Sequence, residues 1–209
     1  ASAGLSSSAI GYYANASASR SVAIGGDVSA VGGSSVAIGY NAKSGDYSVS
    51  VGQDTGGYSG LAKQAVLIGY HAGNDVTADA TIAVGYQALK ALTTGTSNTA
   101  VGYQAGLAQT TAGSNTLLGY QAGLAMVAGG NNTIIGASAG KGLSSGGAGQ
   151  HNNVFIGSGA AEAVASTSGS IAIGDNAAGG TSVSNNSHSY VVIGANAASY
   201  NTSGQTHSN

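Results

Sequence analysis

The 209 residues contain no cysteine, no proline and no tryptophan, and only 6% of them are Asp, Glu, Lys or Arg. Without cysteine there are no disulfides, and stacking of repeated units can take their place as the source of stability. The charge content is far below the roughly 25% of an ordinary soluble domain, which argues against one or two conventional globular domains. Positive charge is confined to Arg20, Lys43, Lys63, Lys90 and Lys141 in a chain of formal charge −2, so no basic patch for nucleic acid can be assembled. No apolar run approaches the roughly 20 residues needed to cross a bilayer as a helix, so membrane insertion is not expected. The opening residues do not read as a signal peptide and already belong to a repeat; the chain is expected to be an excised or processed segment of something longer.

Glycine and aliphatic residues are abundant instead: 37 Gly, and 42% hydrophobic residues overall. Glycine does not recur at every third position, which excludes collagen. The apolar content is too high for a disordered chain, because disorder normally goes with few apolar residues and high net charge.

One pattern recurs twelve times: a β-branched or small residue, any residue, an aliphatic residue, then Gly. Its glycines are Gly11, Gly25, Gly39, Gly52, Gly69, Gly85, Gly102, Gly119, Gly136, Gly157, Gly174 and Gly194. The spacing starts near 14 residues and settles near 17. This predicts a single repeat array over 1–209, with compact coils over 1–57 and longer coils over 58–209. The fold class is therefore all-β, a parallel β-solenoid of about twelve coils.

The residue before each glycine is aliphatic in every copy: Ile10, Ile24, Ile38, Val51, Ile68, Val84, Val101, Leu118, Ile135, Ile156, Ile173 and Ile193. Two positions earlier stand mostly Val, Ile or Thr. Alternate residues of a strand share a face, and the two columns are expected to form the dry core ladder inside the coil. The intervening residue, Ala9, Ala23, Ala37, Ala83, Ala100, Leu117, Ile134 or Phe155, then faces outward. An apolar outward face needs a cover, and a second and third copy of the chain supply it, predicting a homotrimer. Ala stands three residues after the glycine in ten of twelve copies, as a narrow return segment requires. Asn98, Asn115, Asn132 and Asn153 align as one amide ladder, Gln87, Gln104 and Gln121 as another, and Tyr12, Tyr40, Tyr70, Tyr86, Tyr103 and Tyr120 as a broken aromatic ladder.

The segments SVAIGG (Ser21 to Gly26), SSVAIGYNAKSGDYSVSVG (Ser34 to Gly52) and SIAIGDNAAGG (Ser170 to Gly180) resemble the head repeat of trimeric autotransporter adhesins. That resemblance implies a left-handed parallel β-roll or β-helix, three chains forming one head, and binding to host matrix or cell surfaces. The stretch TAVGYQAGLAQTTAGSNTLLGYQAG (Thr99 to Gly123) is more similar to relatives of this repeat in bacteriophage tail fibres.

Catalytic and ligand-binding patterns are missing. His71, His151, His188 and His207 show neither HxH nor HExxH spacing. The acids Asp27, Asp46, Asp54, Asp75, Asp79, Glu162 and Asp175 are scattered over different coils, with Asp75 and Asp79 the only close pair, whereas a glycosidase needs two carboxyls within roughly 10 Å. The calcium-binding GGxGxD repeat is absent, and the glycine string Gly140 to Gly147 does not open a helix after a strand, as a nucleotide site would. Asn15, Asn131, Asn185 and Asn201 match the N-glycosylation pattern, a match that Asn/Ser/Thr-rich sequence produces by chance. Thr99, Thr116 and Thr133 share the parity of the aliphatic columns, which points them inward and away from any ice-binding role.

These readings predict a non-enzymatic, extracellular fibre segment without cofactor, on a virion tail fibre or a bacterial surface. It is expected to assemble with itself as a trimer, with end-to-end association as a further mode, and to attach to a cell-surface glycan or protein receptor. A tail fibre leads; an adhesin head and a structural filament are the alternatives. Binding would fall on loops, which packing leaves free, with Tyr58, His151, His188 and Tyr190 as candidate contacts.

Overall fold

The computed structural model of the chain describes residues 1–57, 62–144, 150–180 and 189–198. Twelve three-residue strands pair in parallel in one sheet: Ser8–Ile10, Val22–Ile24, Val36–Ile38, Val49–Val51, Val66–Ile68, Ile82–Val84, Thr99–Val101, Thr116–Leu118, Thr133–Ile135, Val154–Ile156, Ile171–Ile173 and Val191–Ile193. Each is hydrogen-bonded only to the strand of the coil before and the coil after, so the fold is a parallel β-solenoid. The register never slips: Ala100 lies opposite Ala83 on one side and Leu117 on the other. At a strand spacing near 4.8 Å the stack runs for roughly 55 Å. Twelve rungs are joined by eleven connections, three of which include residues outside the described set, so complete turns number somewhat fewer than the expected twelve coils.

A second parallel sheet of two-residue strands, Ser2–Ala3, Asn15–Ala16, Ser29–Ala30 and Lys43–Ser44, forms the opposite wall of the first coils. Beyond Ser44 turns replace it. No helix occurs among the described residues.

The corner after each strand explains the repeated glycine. Gly102 has φ 140°, and a Cβ placed on it would lie 2.2 Å from the carbonyl oxygen of Gly119 in the next coil. Any side chain would clash with backbone there. Two residues further on, each of the twelve coils passes through the left-handed region, at Gln104 with φ 54° for example. A left-handed non-glycine residue costs about 1–2 kcal/mol. Stacking holds it in place: the Gln104 N–H donates to the carbonyl of Tyr86 at 2.8 Å, and Gln121 repeats the bond to Tyr103.

The interior reverses the side-chain assignment drawn from the sequence. The central residue of the strand faces inward: Ala23, Ala37, Ala83, Ala100, Leu117, Ile134, Phe155 and Ala172 have no exposed surface. The predicted core ladder aligns in a column as expected but lies on the outer face. Ile10 is 60% exposed, Leu118 45% and Ile193 67%, while Ile38, Val51, Val84, Val101, Ile135, Ile156 and Ile173 are half-buried and Ile24 and Ile68 are exposed. The physical reason is width. The opposite wall carries the small column Ala14, Ala42, Ala72, Ala88, Ala105, Ala122, Ala139, Ala160 and Ala177, all buried, and two large aliphatic residues per strand would not fit between the walls. A three-residue strand has two outer positions and one inner position, so the scarce inner position receives the residue matched to the lumen.

In the longer coils the lumen widens and is filled by complementary pairs. Leu67 and Leu117 stand where the residues six further on are Gly73 and Gly123, and a Cβ on Gly73 would meet Leu67 at 2.7 Å. Ala83 is small, and the corresponding position holds buried Leu89. Val76, Leu92, Met126, Leu143 and Val164 complete the filling. Burying a side chain such as Phe155 contributes about 2–3 kcal/mol.

A buried amide ladder closes one corner. Asn115 donates from Nδ2 to Asn98 Oδ1 (3.2 Å) and to the Gly129 carbonyl (3.1 Å), and its Oδ1 accepts from the Asn132 backbone N–H and Nδ2, both at 2.9 Å. Asn153 continues the run on Asn132 Oδ1 at 3.0 Å. The apolar core is interrupted between the early and later coils, where buried Ser44, Ser48, Ser50 and Thr55 take the place of aliphatic residues.

Candidate interaction surface

Two surfaces are built by the repeat itself. The first is the outer face of the twelve-stranded sheet, where 20 of 24 outward side chains are aliphatic. Val22, Val36, Val49, Val66, Ile82, Val154, Ile171 and Val191 form one column, and the pre-glycine residues form the other. Because strands stack in constant register, the two columns run side by side as one continuous stripe. Soluble monomers rarely expose contiguous apolar patches of more than a few hundred Å². Ser8, Thr99, Thr116 and Thr133 are the polar members of this face. The threonines therefore point outward with the valines, not into the coil as the parity argument had placed them.

The second surface is the corner that follows the glycine. Tyr70, Tyr86, Tyr103 and Tyr120 stack with centroid separations of 5.3, 5.0 and 5.3 Å and interplanar angles of 12°, 6° and 11°. All four rings stay 41–52% exposed. The residue after Tyr86, Tyr103 and Tyr120 forms the glutamine ladder, Gln104 Nε2 donating to Gln87 Oε1 and Gln121 Nε2 to Gln104 Oε1, both at 3.0 Å, while His71 follows Tyr70. The aromatic ladder is broken as expected: Tyr12 contacts Tyr13 edge-on at 4.3 Å. That contact, a hydrogen bond with Tyr13 first of all, raises the Tyr12 phenol above its ordinary range.

Two of the four sequence-derived contacts, His151 and Tyr190, fall among the described residues. Tyr58 and His188 lie outside the described residues. His151 is exposed but held, its Nδ1 accepting from the Gly130 N–H at 2.9 Å. Tyr190 corrects the expectation of an exposed contact: it packs against the apolar core, its hydroxyl is buried with no hydrogen-bond partner among the described residues, and burial pushes its phenol far above the ordinary range. The residue precedes a strand whose lumen has room for a ring, and the loop reading missed that.

Charged groups serve coil-to-coil contacts. Asp46 accepts the Gly33 N–H at 2.8 Å and pairs with Lys63 at 3.4 Å, and these two contacts, the backbone bond first, hold its carboxyl below the usual range. Asp79 caps the Lys63 N–H at 2.8 Å. His71 lies 3.6 Å from Asp54, which also accepts from Asn41 at 2.7 Å. Among the described residues no group of three or more His, Cys, Asp or Glu could hold a metal ion, and no helix is long and apolar enough to cross a membrane.

The outer face could have been found from the sequence. Size varies from Ala to Phe at the central strand position as coil length changes, which is the behaviour of a residue fitted to a lumen. The flanking columns hold only Val, Ile, Leu or Thr apart from Ser8, a narrower range, as a flat mating surface does.

Comparison with known families agrees with the repeat seen in the sequence. A family model described as the YadA head domain repeat (2 copies) matches residues 2–27, 30–55 and 161–177. These segments are similar to the adhesin-type head repeat that the sequence resembled. No curated protein and no solved structure matches the chain.

Proposed function

We propose that this chain, which matches the YadA head repeat over its first coils and again at residues 161–177, is a non-enzymatic segment of a trimeric attachment fibre displayed outside the cell or on a virion. The carrying observation is the aliphatic stripe on the outer sheet face. A stripe that keeps to Val, Ile and Leu over most of twelve rungs is a mating surface, and head domains of the YadA type assemble as homotrimers. Three copies packed by this face around one axis would bury it, leaving the tyrosine corners and the connecting loops for contact with a surface.

Two placements have separate support. The YadA-type segments favour an adhesin head bound to host surface molecules. The longer coils between them, including Thr99 to Gly123, fall outside the matched residues and favour the tail-fibre relatives. Both are extracellular, and both use the rod as a carrier of weak contacts multiplied by three chains.

Light scattering on the purified chain tests the assembly, and a monomeric mass at micromolar concentration would refute it. Adsorption of the labelled chain to bacterial cells and to immobilised host matrix tests the role. Binding to neither, by a trimer of normal solubility, would leave a structural filament as the function.

A further inference from the structure

Within the attachment reading, we infer that the Tyr70–Tyr120 stack and the Gln87–Gln121 ladder form a strip that binds an extended, equatorially linked polysaccharide laid parallel to the rod axis. Three observations converge. The rings repeat at 5.0–5.3 Å in nearly parallel planes, and an extended chain of equatorially linked hexoses advances by a closely similar distance per sugar. Successive sugars would therefore meet successive coils in register over four rungs, a match that a helical, axially linked glycan cannot keep.

The hydrogen-bonding capacity is left open in the right way. An amide offers two N–H donors and two lone pairs. Gln104 spends one donor on Gln87 and one lone pair on Gln121, leaving one of each for a hydroxyl-rich ligand. The phenols of Tyr70, Tyr86, Tyr103 and Tyr120 make no hydrogen bond within the described residues, and each ring is 41–52% exposed. Tyrosine and glutamine occupy consecutive positions at the same corner in three of the four coils, Tyr86–Gln87, Tyr103–Gln104 and Tyr120–Gln121, which present a phenol and an amide side by side; His71 follows Tyr70.

The geometry also selects the mode of contact. Ring faces are covered by the neighbouring rings, so a sugar cannot stack flat on them; contact is by ring edges and hydroxyls. Such contacts are individually weak and reach useful strength only by repetition along the strip and across chains. The strip has defined ends. Below Tyr70 the equivalent residue is Gln53, and above Tyr120 and Gln121 it becomes Ala137 and Ser138.

The test is calorimetric titration of the intact chain with cellohexaose and chitohexaose, with maltohexaose as the helical control. One or both extended oligosaccharides bind, and maltohexaose binds at least tenfold more weakly. The double variant Tyr86→Phe/Tyr103→Phe keeps the stack but removes two hydroxyls; at about 0.5–1.5 kcal/mol per hydrogen bond it weakens binding on the order of tenfold, with mass and melting temperature unchanged. Failure of both extended sugars to bind, equal binding of all three, or an unaffected Phe variant each overturns the inference. The broader role is judged apart: if native chain and Phe variant adsorb to cells equally, the strip is wrong and attachment stands, whereas sugar binding without adsorption to any surface supports the strip and sinks attachment.

Discussion

Leu117 and Leu118 are consecutive in one strand, yet Leu117 has no exposed surface and Leu118 is 45% exposed. Alternation across the sheet sends one into the lumen and the other onto the outer stripe. In the proposed trimer, Leu118→Glu should leave the far-ultraviolet circular dichroism of the chain intact while lowering its mass by light scattering to that of a monomer. Leu117→Glu buries a carboxylate without a partner, at a cost above about 4 kcal/mol, and should abolish the folded spectrum. Equal behaviour of the two variants would contradict the side assignment.

Asn115 makes four side-chain hydrogen bonds within the interior ladder. Asn115→Ala strands the Gly129 carbonyl and the Asn132 N–H together, while Asn98 Oδ1 keeps the Asn115 backbone N–H at 3.1 Å. At about 1–3 kcal/mol for a buried polar group left unpaired, a loss of roughly 3 kcal/mol in urea unfolding is expected. Gln104→Ala, in the partly exposed ladder, should cost less than about 1 kcal/mol.

Ser50 occupies the inward column otherwise filled by alanine or larger apolar residues, and its hydroxyl is buried with no hydrogen-bond partner among the described residues. Replacing an unpaired buried hydroxyl by hydrogen removes its desolvation penalty. Ser50→Ala should stabilise the chain by about 1 kcal/mol, seen as a higher melting temperature. A decrease would mean that the hydroxyl has a bound water to lose.

Asp46 ties Gly33 to the Lys63 coil, and its folded carboxyl titrates below the unfolded value of about 3.9. A depressed carboxyl contributes stability that is present above the unfolded value and lost as pH falls through the folded one. Melting temperature should therefore drop on acidification below about pH 4, and Asp46→Asn should flatten that part of the profile. An unchanged profile in the variant would assign acid sensitivity elsewhere.

The architecture was legible because a solenoid writes its period into the chain. Twelve glycines at near-constant spacing, Ala at the narrow return and Asn at one corner each fixed a column, and the ladders formed where those columns predicted. The inside and outside of the strand were not legible from hydrophobicity alone, since both faces are apolar. Transfer free energy favours placing Ile38 or Val101 inside, but lumen width decides in favour of Ala37 and Ala100. Tyr190 was misplaced for a related reason: a tyrosine beside a long connection reads as exposed, whereas its ring fills space next to the core. The Tyr and Gln ladders were read as alignments, and only coordinates gave the ring spacing and the amide valences that make them a candidate site.

The hydrogen bonds between rungs, such as Gly119 N–H to the Val101 carbonyl at 2.9 Å, lie along the length of the rod. A pull in that direction loads them one coil after another instead of all at once. Each coil that yields releases slack, on the order of 55 Å for the 17 residues between Gly102 and Gly119, and its neighbour is left intact. A tether made this way would lengthen in steps under shear and reel back by restacking, so that grip would outlast a sudden tug.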